Sequence, residues 1–295
     1  LMSPSGSDGV VADVLISTES FGSSPYQRCF SYRLVGGQNC GVEQVCATLP
    51  LAGASSSPKD QVKLRHEEGP LFCFLPLPPS AVSLRVPMHV HAPLNTTQDR
   101  RNVLLDNRVG DNEIVSKNVR LLDARIPECL TRCAINLSNL ATPEDFFSVF
   151  PVLHRNAGAG AGETQRKDAL PEVGAADRVA HSFYRLLIRR TEPIFPTASA
   201  DSMKKCVPFS EAVFCSEREA KLSSGGPPDQ ATILLDKIIT SLARFGVPVV
   251  KIPLPVLESF EQVLHPVLPR TLTPAWLRQF LRNINASSIP KTAKR

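Results

Sequence analysis

The segment "EEGPLFCFLPLPPSAVSLRVPMHVH", residues 67–91, carries the clearest strand pattern in the chain. Two short apolar runs, 71–75 and 86–90, are separated by prolines, which end a strand because proline has no backbone N–H to donate. Side chains alternate between the two faces of a strand, so Phe72 and Phe74 are predicted to share one face and to pack in the core. The pattern therefore predicts two neighbouring antiparallel strands in a buried sheet.

The second run has one apolar and one polar face. Val86, Met88 and Val90 share the apolar face, which is predicted to lie in the core with the two phenylalanines. His89 and His91 share the opposite face, where two imidazoles can in principle bind a metal ion. Zinc needs a third and usually a fourth ligand, and no carboxylate or cysteine stands at a suitable local spacing. The pattern therefore favours hydrogen-bonded or solvated histidines, and no metal site is predicted.

The composition is that of an ordinary globular protein. The 295 residues are 42% hydrophobic and 21% charged, and the length is sufficient for two domains. The net charge of +5 is small, and the basic residues are interspersed with acidic ones instead of forming a stripe. This distribution argues against a nucleic-acid partner.

Neither membrane insertion nor an oxidising compartment is indicated. No apolar run reaches the ~18 residues that span a bilayer, and the N-terminus has neither the basic nor the apolar region of a signal peptide. The eight cysteines include no CxxC pair, and several lie in apolar runs, where a free thiol behaves as a small hydrophobic group. We therefore expect a cytoplasmic protein with reduced cysteines and no membrane partner.

The apolar period changes along the chain. Residues 10–50 alternate between apolar and polar positions, as strands do, whereas 113–140 has helical spacing that Pro127 is predicted to break into two helices. The glycine-rich segment that follows has no apolar period. We therefore predict an α+β fold with three parts: residues 1–155, a sheet-rich segment with an antiparallel or mixed sheet and packed C-terminal helices; 156–175, a flexible linker; and 176–295, a helix-rich α/β segment.

Local residues mark several helix ends. Thr142, Asp229 and Thr273 are predicted as N-caps, because a short polar side chain accepts a hydrogen bond from the first helical turn. Gly246 is predicted to end the helix that begins near Asp229, because glycine readily adopts the left-handed conformation that closes a helix. The second half is therefore expected to contain well-delimited helices.

The candidate binding residues are the adjacent arginines of "DRR", residues 99–101. Arg100 and Arg101 follow the second strand closely, and guanidinium groups bind phosphate oxygens bidentately. The alternative is a solvated loop. The glycine run at 158–162 lacks the Lys-Ser/Thr of a phosphate-binding loop, and no G-x-S-x-G motif is present, so no enzymatic site is predicted.

Several blocks of the sequence, taken in order, resemble the repeated module of the sacsin family of giant co-chaperone-like proteins. The first set is specific: "GPLFCFLPLP", then "VPMHVH", then "DRR". The blocks that follow are "NVRLLDARIPECL" (118–130), "FYRLLIRRTEPIFPT" (183–197), "CVPFSEAVFCSE" (206–217) and "RFGVPVVKIPLPVLESF" (244–260). The resemblance covers roughly residues 65–285.

The resemblance implies a non-catalytic segment of a sacsin-like chaperone or co-chaperone. Such a segment acts in protein folding and quality control through contacts with heat-shock chaperones or client proteins. In that family the module lies downstream of an ATP-binding lobe of the gyrase and heat-shock class, whose nucleotide motifs are not found in this sequence. No cofactor is therefore expected in this chain, and ATP is implied only together with an upstream lobe.

Two other functions stay open. In the first, the chain is the middle segment of a split ATPase. Arg100 and Arg101, which match the family's paired arginines, then contact the terminal phosphate of a nucleotide bound in the upstream lobe. In the second, the chain is a purely structural interaction module, with defined partners but neither chaperone nor ATPase activity.

Overall fold

The chain contains both helices and strands, as the sequence predicted, and it divides into two compact units, residues 1–190 and 191–295. Each unit is described below by itself. The structure, a computed structural model, describes residues 12–18, 27–36, 43–52, 63–64, 69, 71–73, 75–78, 84–105, 112–138, 141–153, 174–198, 206–216, 228–264 and 270–288.

The described part of the first unit contains a seven-stranded sheet. Its strands are β1 (Ala12–Thr18), β2 (Gln27–Gly36), β3 (Glu43–Ala52), β4 (Lys63–Leu64), β5 (Leu71–Cys73), β6 (Leu75–Pro76) and β7 (His89–His91). The order across the sheet is β1-β2-β3-β7-β5-β6, with β4 paired to the end of β3. The alternating pattern of residues 10–50 thus corresponds to three antiparallel strands, and β7 continues the sheet antiparallel to β3.

Strands β5 and β7 are neighbours, as predicted, but they run parallel and not antiparallel. Leu71 lies opposite Val90 in this parallel pair. The chain reverses directly after β5, and β6 pairs antiparallel with it, so that the Leu77 N–H donates to the Leu71 carbonyl oxygen at 2.8 Å. Parallel pairing needs a crossover of about a dozen residues, which the chain between β6 and β7 supplies. The prediction of direct pairing is confirmed, and the predicted direction is wrong.

The faces of β7 and of the residues before it are those predicted. Val86, Met88 and Val90 are buried. His89 is exposed and His91 is half-buried. Alternation of side chains accounts for the burial of Val90 between the two histidines of β7. Residues 86–88 form a bend and not part of the strand, and Pro87 is buried there as well, so the burial of Val86 and Met88 has another origin.

The core face of β5 differs from the prediction. Leu71 and Cys73 are buried, whereas Phe72 is only partly buried and its ring lies beside that of His89, with ring centroids 5.8 Å apart. Phe74 lies outside the described residues. Leu71 pairs with Val90, whose side chain faces the core, so Leu71 and Cys73 face the core as well. Phe72 therefore lies on the opposite face of the sheet.

Each of the three central strands, β3, β7 and β5, contributes one buried residue to the sheet face that packs against the helices. Ala47, Val90 and Leu71 lie opposite one another across β3, β7 and β5, and all three are buried. Cys129 and Cys133 cover this face, with Sγ atoms 3.9 and 4.0 Å from carbonyl oxygens of β3. Both thiols are fully buried, where they serve as small hydrophobic groups.

The described helices of the first unit are α1 (Asn112–Arg120), α2 (Ile126–Leu137), α3 (Pro143–Ser148) and α4 (Ala175–Arg189), and a π-helical turn (Leu121–Arg125) joins α1 to α2. The predicted break at Pro127 is therefore absent, and residues 112–137 form one continuous helical run. The Ile126 N–H donates to the Leu121 carbonyl oxygen, five residues earlier. A proline lacks the N–H for the carbonyl four residues earlier and collides with it, and a wider turn just before Pro127 relieves this conflict.

Helix α3 begins as predicted. The Thr142 hydroxyl oxygen accepts a hydrogen bond from the Asp145 N–H at 3.1 Å, and the same hydroxyl donates to the Asp145 carboxylate at 3.0 Å. Phe146 and Phe150 pack edge to face with ring centroids 5.0 Å apart, and Phe183 of α4 extends this aromatic cluster. The cluster attaches α3 to α4.

Helix α4 packs within the first unit, although the sequence assigned it to the second segment. Its apolar stripe includes Val179, Phe183, Tyr184 and Leu187, all buried, and the Tyr184 hydroxyl donates to the Pro151 carbonyl oxygen at 2.9 Å. The boundary between the compact units in the sequence therefore falls after residue 190 and not within the predicted linker 156–175. That segment lies outside the described residues except for its last two positions.

Replacing Thr131 on α2 by valine is expected to raise the free energy of unfolding by about 1 kcal/mol. The Thr131 hydroxyl is fully buried and has no hydrogen-bond partner among the described residues. A buried hydroxyl without a partner costs about 1–3 kcal/mol, and valine keeps the branched shape without that cost. Urea unfolding measures the change. The matched variant Thr131→Ser keeps the hydroxyl, loses a methyl group and is expected to lower the stability; a destabilised Thr131→Val protein would contradict the assignment.

The described elements of the second unit are β8 (Phe195–Pro196), β9 (Cys206–Val207), β10 (Val213–Cys215), α5 (Pro228–Arg244), β11 (Val249–Lys251), α6 (Leu254–Leu264) and α7 (Pro274–Ser288). β8 and β9 pair antiparallel, and β10 and β11 pair parallel with α5 between them in the chain. Val213, Leu242, Val249 and Leu272 belong to a buried apolar cluster of this unit. Trp276 of α7 packs against it.

Two of the three helix ends predicted in the second unit are confirmed. Gly246 follows α5 with φ +74°, and the Val247 N–H donates to the Leu242 carbonyl oxygen at 3.1 Å, as in a glycine-closed helix. The Trp276 N–H donates to the Thr273 hydroxyl oxygen at 3.1 Å, so Thr273 caps α7.

The third predicted helix end, an N-cap at Asp229, is wrong. α5 begins at Pro228, so Asp229 lies inside the first turn and is not the N-cap. Proline is favoured at the first helical position because its missing N–H would have no partner there. Over the described residues, no helix combines the length and apolarity needed to cross a bilayer.

Candidate functional site

The two candidate arginines lie at the tip of a small hairpin that follows β7, and residues 95–104 are here called the arginine hairpin. Thr96 and Val103 form an antiparallel bridge. The Thr97 N–H donates to the Asn102 carbonyl oxygen at 3.0 Å, and the Leu104 N–H donates to the Asn95 carbonyl oxygen at 3.1 Å. The "DRR" residues therefore form a hydrogen-bonded turn and not an unstructured loop.

Asp99 holds the tip together. Its Oδ1 accepts hydrogen bonds from the Thr97 hydroxyl at 2.6 Å and from the Arg101 N–H at 3.1 Å. These two hydrogen bonds, followed by the charge of Arg101, lower the pKa of the Asp99 carboxyl group. Asp99 is therefore ionised at neutral pH and stabilises the turn on which the arginines lie.

Arg100 attaches the tip to the sheet. Its backbone is in the left-handed region, with φ +58°, which costs a residue other than glycine about 1–2 kcal/mol. Its partly buried side chain points to β5, where the guanidinium Nη2 donates to the Cys73 carbonyl oxygen at 3.0 Å. A hydrogen bond from a charged donor offsets such backbone strain.

Arg101 is in a different environment from its neighbour. Its side chain is 76% exposed, and its Nε lies 3.9 Å from the Asp99 carboxylate. An exposed ion pair of this length contributes little to stability, so an incoming anion can compete for the guanidinium at low cost. Of the two predicted binding residues, Arg101 is the one presented to solvent.

Asn118 on α1 supports the base of the arginine hairpin, and the sequence pattern did not single it out. The side chain is fully buried, and its Oδ1 accepts from the Asn95 N–H at 2.8 Å. Its Nδ2 donates to the carbonyl oxygens of Asn95 and Leu104 at 2.8 and 2.9 Å. Asn118 lies between the buried positions Val115 and Leu122 of the helical run, and a polar residue on an apolar stripe was the available signal.

Within the part of the chain that the structure describes, the histidines of β7 do not come together with other metal-binding groups. Among the described side chains, no three His, Cys, Asp or Glu residues form a cluster that could hold a metal ion. His89 instead lies beside the ring of Phe72. The interpretation of these imidazoles as hydrogen-bonded or solvated groups stays simpler than that of metal ligands.

Arg100→Gln is expected to lower the free energy of unfolding by about 1.5–3 kcal/mol, because the Cys73 carbonyl oxygen loses a charged donor. Arg101→Gln is the matched control, since it removes the same charge one residue away. It is expected to change stability by less than about 0.5 kcal/mol. Urea unfolding of the two variants measures the difference, and equal effects would contradict the division of roles between the arginines.

The arginine hairpin thus combines a rigid base with a solvent-facing cation. Asn118 and Arg100 attach it to α1 and β5, and Arg101 is left exposed at its tip. Such an arrangement can bind an anionic group or an acidic side chain by a charge-assisted hydrogen bond. Comparison with known protein families, curated proteins and solved structures finds no match for this chain.

Proposed function

We propose that the chain is a non-catalytic segment of a sacsin-like chaperone or co-chaperone, acting in the cytoplasm in protein folding and quality control. Its activity consists of contacts with heat-shock chaperones or client proteins. Within this proposal, the first half is an α+β module with a mixed sheet, and the second half is a helix-rich α/β module.

The observation that carries the proposal is that the sequence blocks on which the resemblance rests contact one another in the fold. "GPLFCFLPLP" and "VPMHVH" contribute β5 and β7, which pair directly. "DRR" is joined to β5 through the hydrogen bond from Arg100 to the Cys73 carbonyl oxygen. Asn118, the first residue of "NVRLLDARIPECL", binds the base of the hairpin that carries "DRR". Blocks that are separate in the sequence therefore form one contact network, as expected of a module whose motif residues support one another.

Suppression of client aggregation tests this function. Light scattering of a heat-labile client enzyme is followed with and without an equimolar amount of the chain, and binding to purified heat-shock chaperones is measured in parallel. The proposal predicts lower scattering or chaperone binding. An inert globular protein of similar mass serves as the control. Failure in both assays with a chain shown to be folded by circular dichroism would refute the proposal.

The exposure of Arg101 favours the split ATPase as a second candidate. In this alternative, the guanidinium of Arg101 contacts the terminal phosphate of a nucleotide in an upstream lobe, while Arg100 keeps its bond to β5. Removing a group that stabilises transition-state charge typically slows catalysis by about 100-fold or more. With the chain joined to an ATP-binding lobe, Arg101→Gln is then expected to slow hydrolysis strongly.

Arg278→Gln, which removes an exposed arginine of the second unit, is the control for that experiment. Equal hydrolysis rates in the two variants would eliminate the nucleotide role. The third function, a structural interaction module, is favoured if the chain captures a defined partner but neither protects clients nor affects ATP hydrolysis.

A further inference from the structure

One side of α4 carries a row of basic side chains. Arg178, Arg185 and Arg189 are separated by seven and four positions, which places them on the same face of a helix, and His181 lies between them. Together with Asp123 of the π-helical turn they line an open groove of about 530 Å³. These residues of α4 are called the α4 basic face.

The charges on this face are only partly neutralised. Arg178 donates two hydrogen bonds to the Asp123 carboxylate, at 2.6 and 3.0 Å, so this pair contributes no net charge. Arg185 and Arg189 are exposed, and no described acidic side chain forms an ion pair with either of them. Arg190, the next residue, is by contrast paired with Glu128 at 2.7 Å. The groove therefore presents two uncompensated guanidinium groups.

The side chains between the arginines suit a peptide ligand. His181 is half-buried, and burial followed by the charge of Arg185 lowers the pKa of its imidazole, against the opposing charge of Asp177 one turn earlier. The neutral ring that this favours can still donate one hydrogen bond. Leu186 is partly buried at the groove wall and offers an apolar contact. A ligand with both carboxylates and aliphatic stems matches these groups.

The length of the groove favours an extended ligand over a single phosphate. Its lining extends from Arg178 to Arg189, about 16 Å along the helix at about 1.5 Å per residue, so a phosphate held by Arg185 and Arg189, one turn apart, would occupy only one end of it. A membrane-binding helix needs exposed large apolar side chains beside its basic ones. The described examples of such side chains are Ile233, Leu234, Phe245 and Leu281, none of which lies on α4.

We propose that the α4 basic face binds an acidic segment of a partner protein. An extended chain advances about 3.3 Å per residue, so roughly five residues of such a segment cover the face. The inference rests on the proposed function only in taking the partner to be a protein. Carboxylates of the segment pair with Arg185 and Arg189, and the neutralised pair of Arg178 and Asp123 forms one end of the groove.

Fluorescence anisotropy with a fluorescein-labelled octaglutamate peptide tests the proposal on the full chain. The double variant Arg185→Gln/Arg189→Gln is expected to bind about tenfold more weakly, at about threefold for each exposed ion pair. Added salt is expected to weaken binding to the wild-type chain, because exposed charges are screened. Arg185→Lys/Arg189→Lys retains the charge and is expected to recover most of the affinity.

The matched control is Arg278→Gln/Arg282→Gln, which removes two exposed arginines four positions apart on α7. It is expected to leave peptide binding unchanged, and an octaglutamine peptide is expected not to bind. Equal losses in the two double variants, or equal affinity for octaglutamine, would overturn the proposal. So would binding to vesicles of equal parts phosphatidylserine and phosphatidylcholine without binding to the peptide.

These outcomes are separable from those of the chaperone assay. Peptide binding is measured without client or chaperone, and thermal unfolding by circular dichroism confirms that each variant is folded. A chain that suppresses aggregation but does not bind octaglutamate loses only the α4 proposal. A chain that binds the peptide through Arg185 and Arg189 but fails the aggregation and chaperone-binding assays loses only the proposed function.

Discussion

Gly69→Ala is expected to lower the free energy of unfolding of the first unit by about 3–5 kcal/mol, the range of severe core disruption. Gly69 begins "GPLFCFLPLP", and its N–H donates to the Val86 carbonyl oxygen at 2.9 Å. A Cβ atom at this position would overlap the carbonyl group of Met88 and lie 2.8 Å from the backbone nitrogen of His89. Both groups belong to the main chain entering β7, so no side-chain rotation can remove the overlap.

Relief of that overlap requires the chain before β5 to move away from the chain before β7. The hydrogen bond from Gly69 to Val86 and the register of Leu71 with Val90 are then both weakened. Urea unfolding measures the loss of stability. A decrease in α-helical circular dichroism is not expected, because the affected contacts are between extended segments.

Gly174→Ala is the matched control in the same unit. The nearest atom to a Cβ at that position is a carboxylate oxygen of Asp177 at 3.9 Å, which is ordinary contact. Gly174 is the N-cap of α4, where replacing glycine by alanine costs about 1 kcal/mol or less. Similar effects of the two substitutions would show that the close approach of Gly69 to the Met88 backbone is not a feature of the protein in solution.

Asn118→Ala is expected to destabilise the first unit by about 3–5 kcal/mol. The substitution removes three hydrogen bonds at once. It leaves the Asn95 N–H and the Leu104 carbonyl oxygen without that partner, while the Asn95 carbonyl oxygen keeps the bond from the Leu104 N–H. Each buried polar group left unsatisfied costs about 1–3 kcal/mol, reduced where water reaches it. Hydrogen–deuterium exchange offers a local readout, since the Asn95 amide is expected to lose its protection.

Asn118→Asp separates hydrogen bonding from side-chain volume. The introduced carboxylate has nearly the same size, but it would face the carbonyl oxygens of Asn95 and Leu104, which accept from the amide in the native protein. Burial and these acceptors raise the pKa of the new carboxyl group in the folded state, so the variant is expected to gain stability as the pH falls and the group becomes a donor. Stability that did not change with pH relative to wild type would argue against this geometry.

Asn112→Ala, at the exposed start of the same helix, is the control for both variants. It is expected to change stability by less than about 0.5 kcal/mol. A loss as large as that of Asn118→Ala would indicate that the helix itself, and not the bonds to the arginine hairpin, is the source of the effect.

Features that depend on a few adjacent residues were predictable from the sequence. Thr142, Thr273 and Gly246 mark helix ends because the bonds they make reach only one helical turn. The burial of Val90 between two more exposed histidines follows from alternation along a strand. The arginines of "DRR" were identified as candidates by residue type and by their position after β7.

Features that depend on residues distant in the sequence were not predictable. The parallel direction of β5 and β7 results from the reversal into β6, and the inward position of Leu71 results from its pairing with Val90. The separate environments of Arg100 and Arg101 depend on where the Cys73 carbonyl lies. The sequence alone thus established local elements, helix ends and candidate cations. Strand direction, the buried support from Asn118 and the exposure of each cation arose only from packing, because the atoms that set them lie many residues apart in the chain.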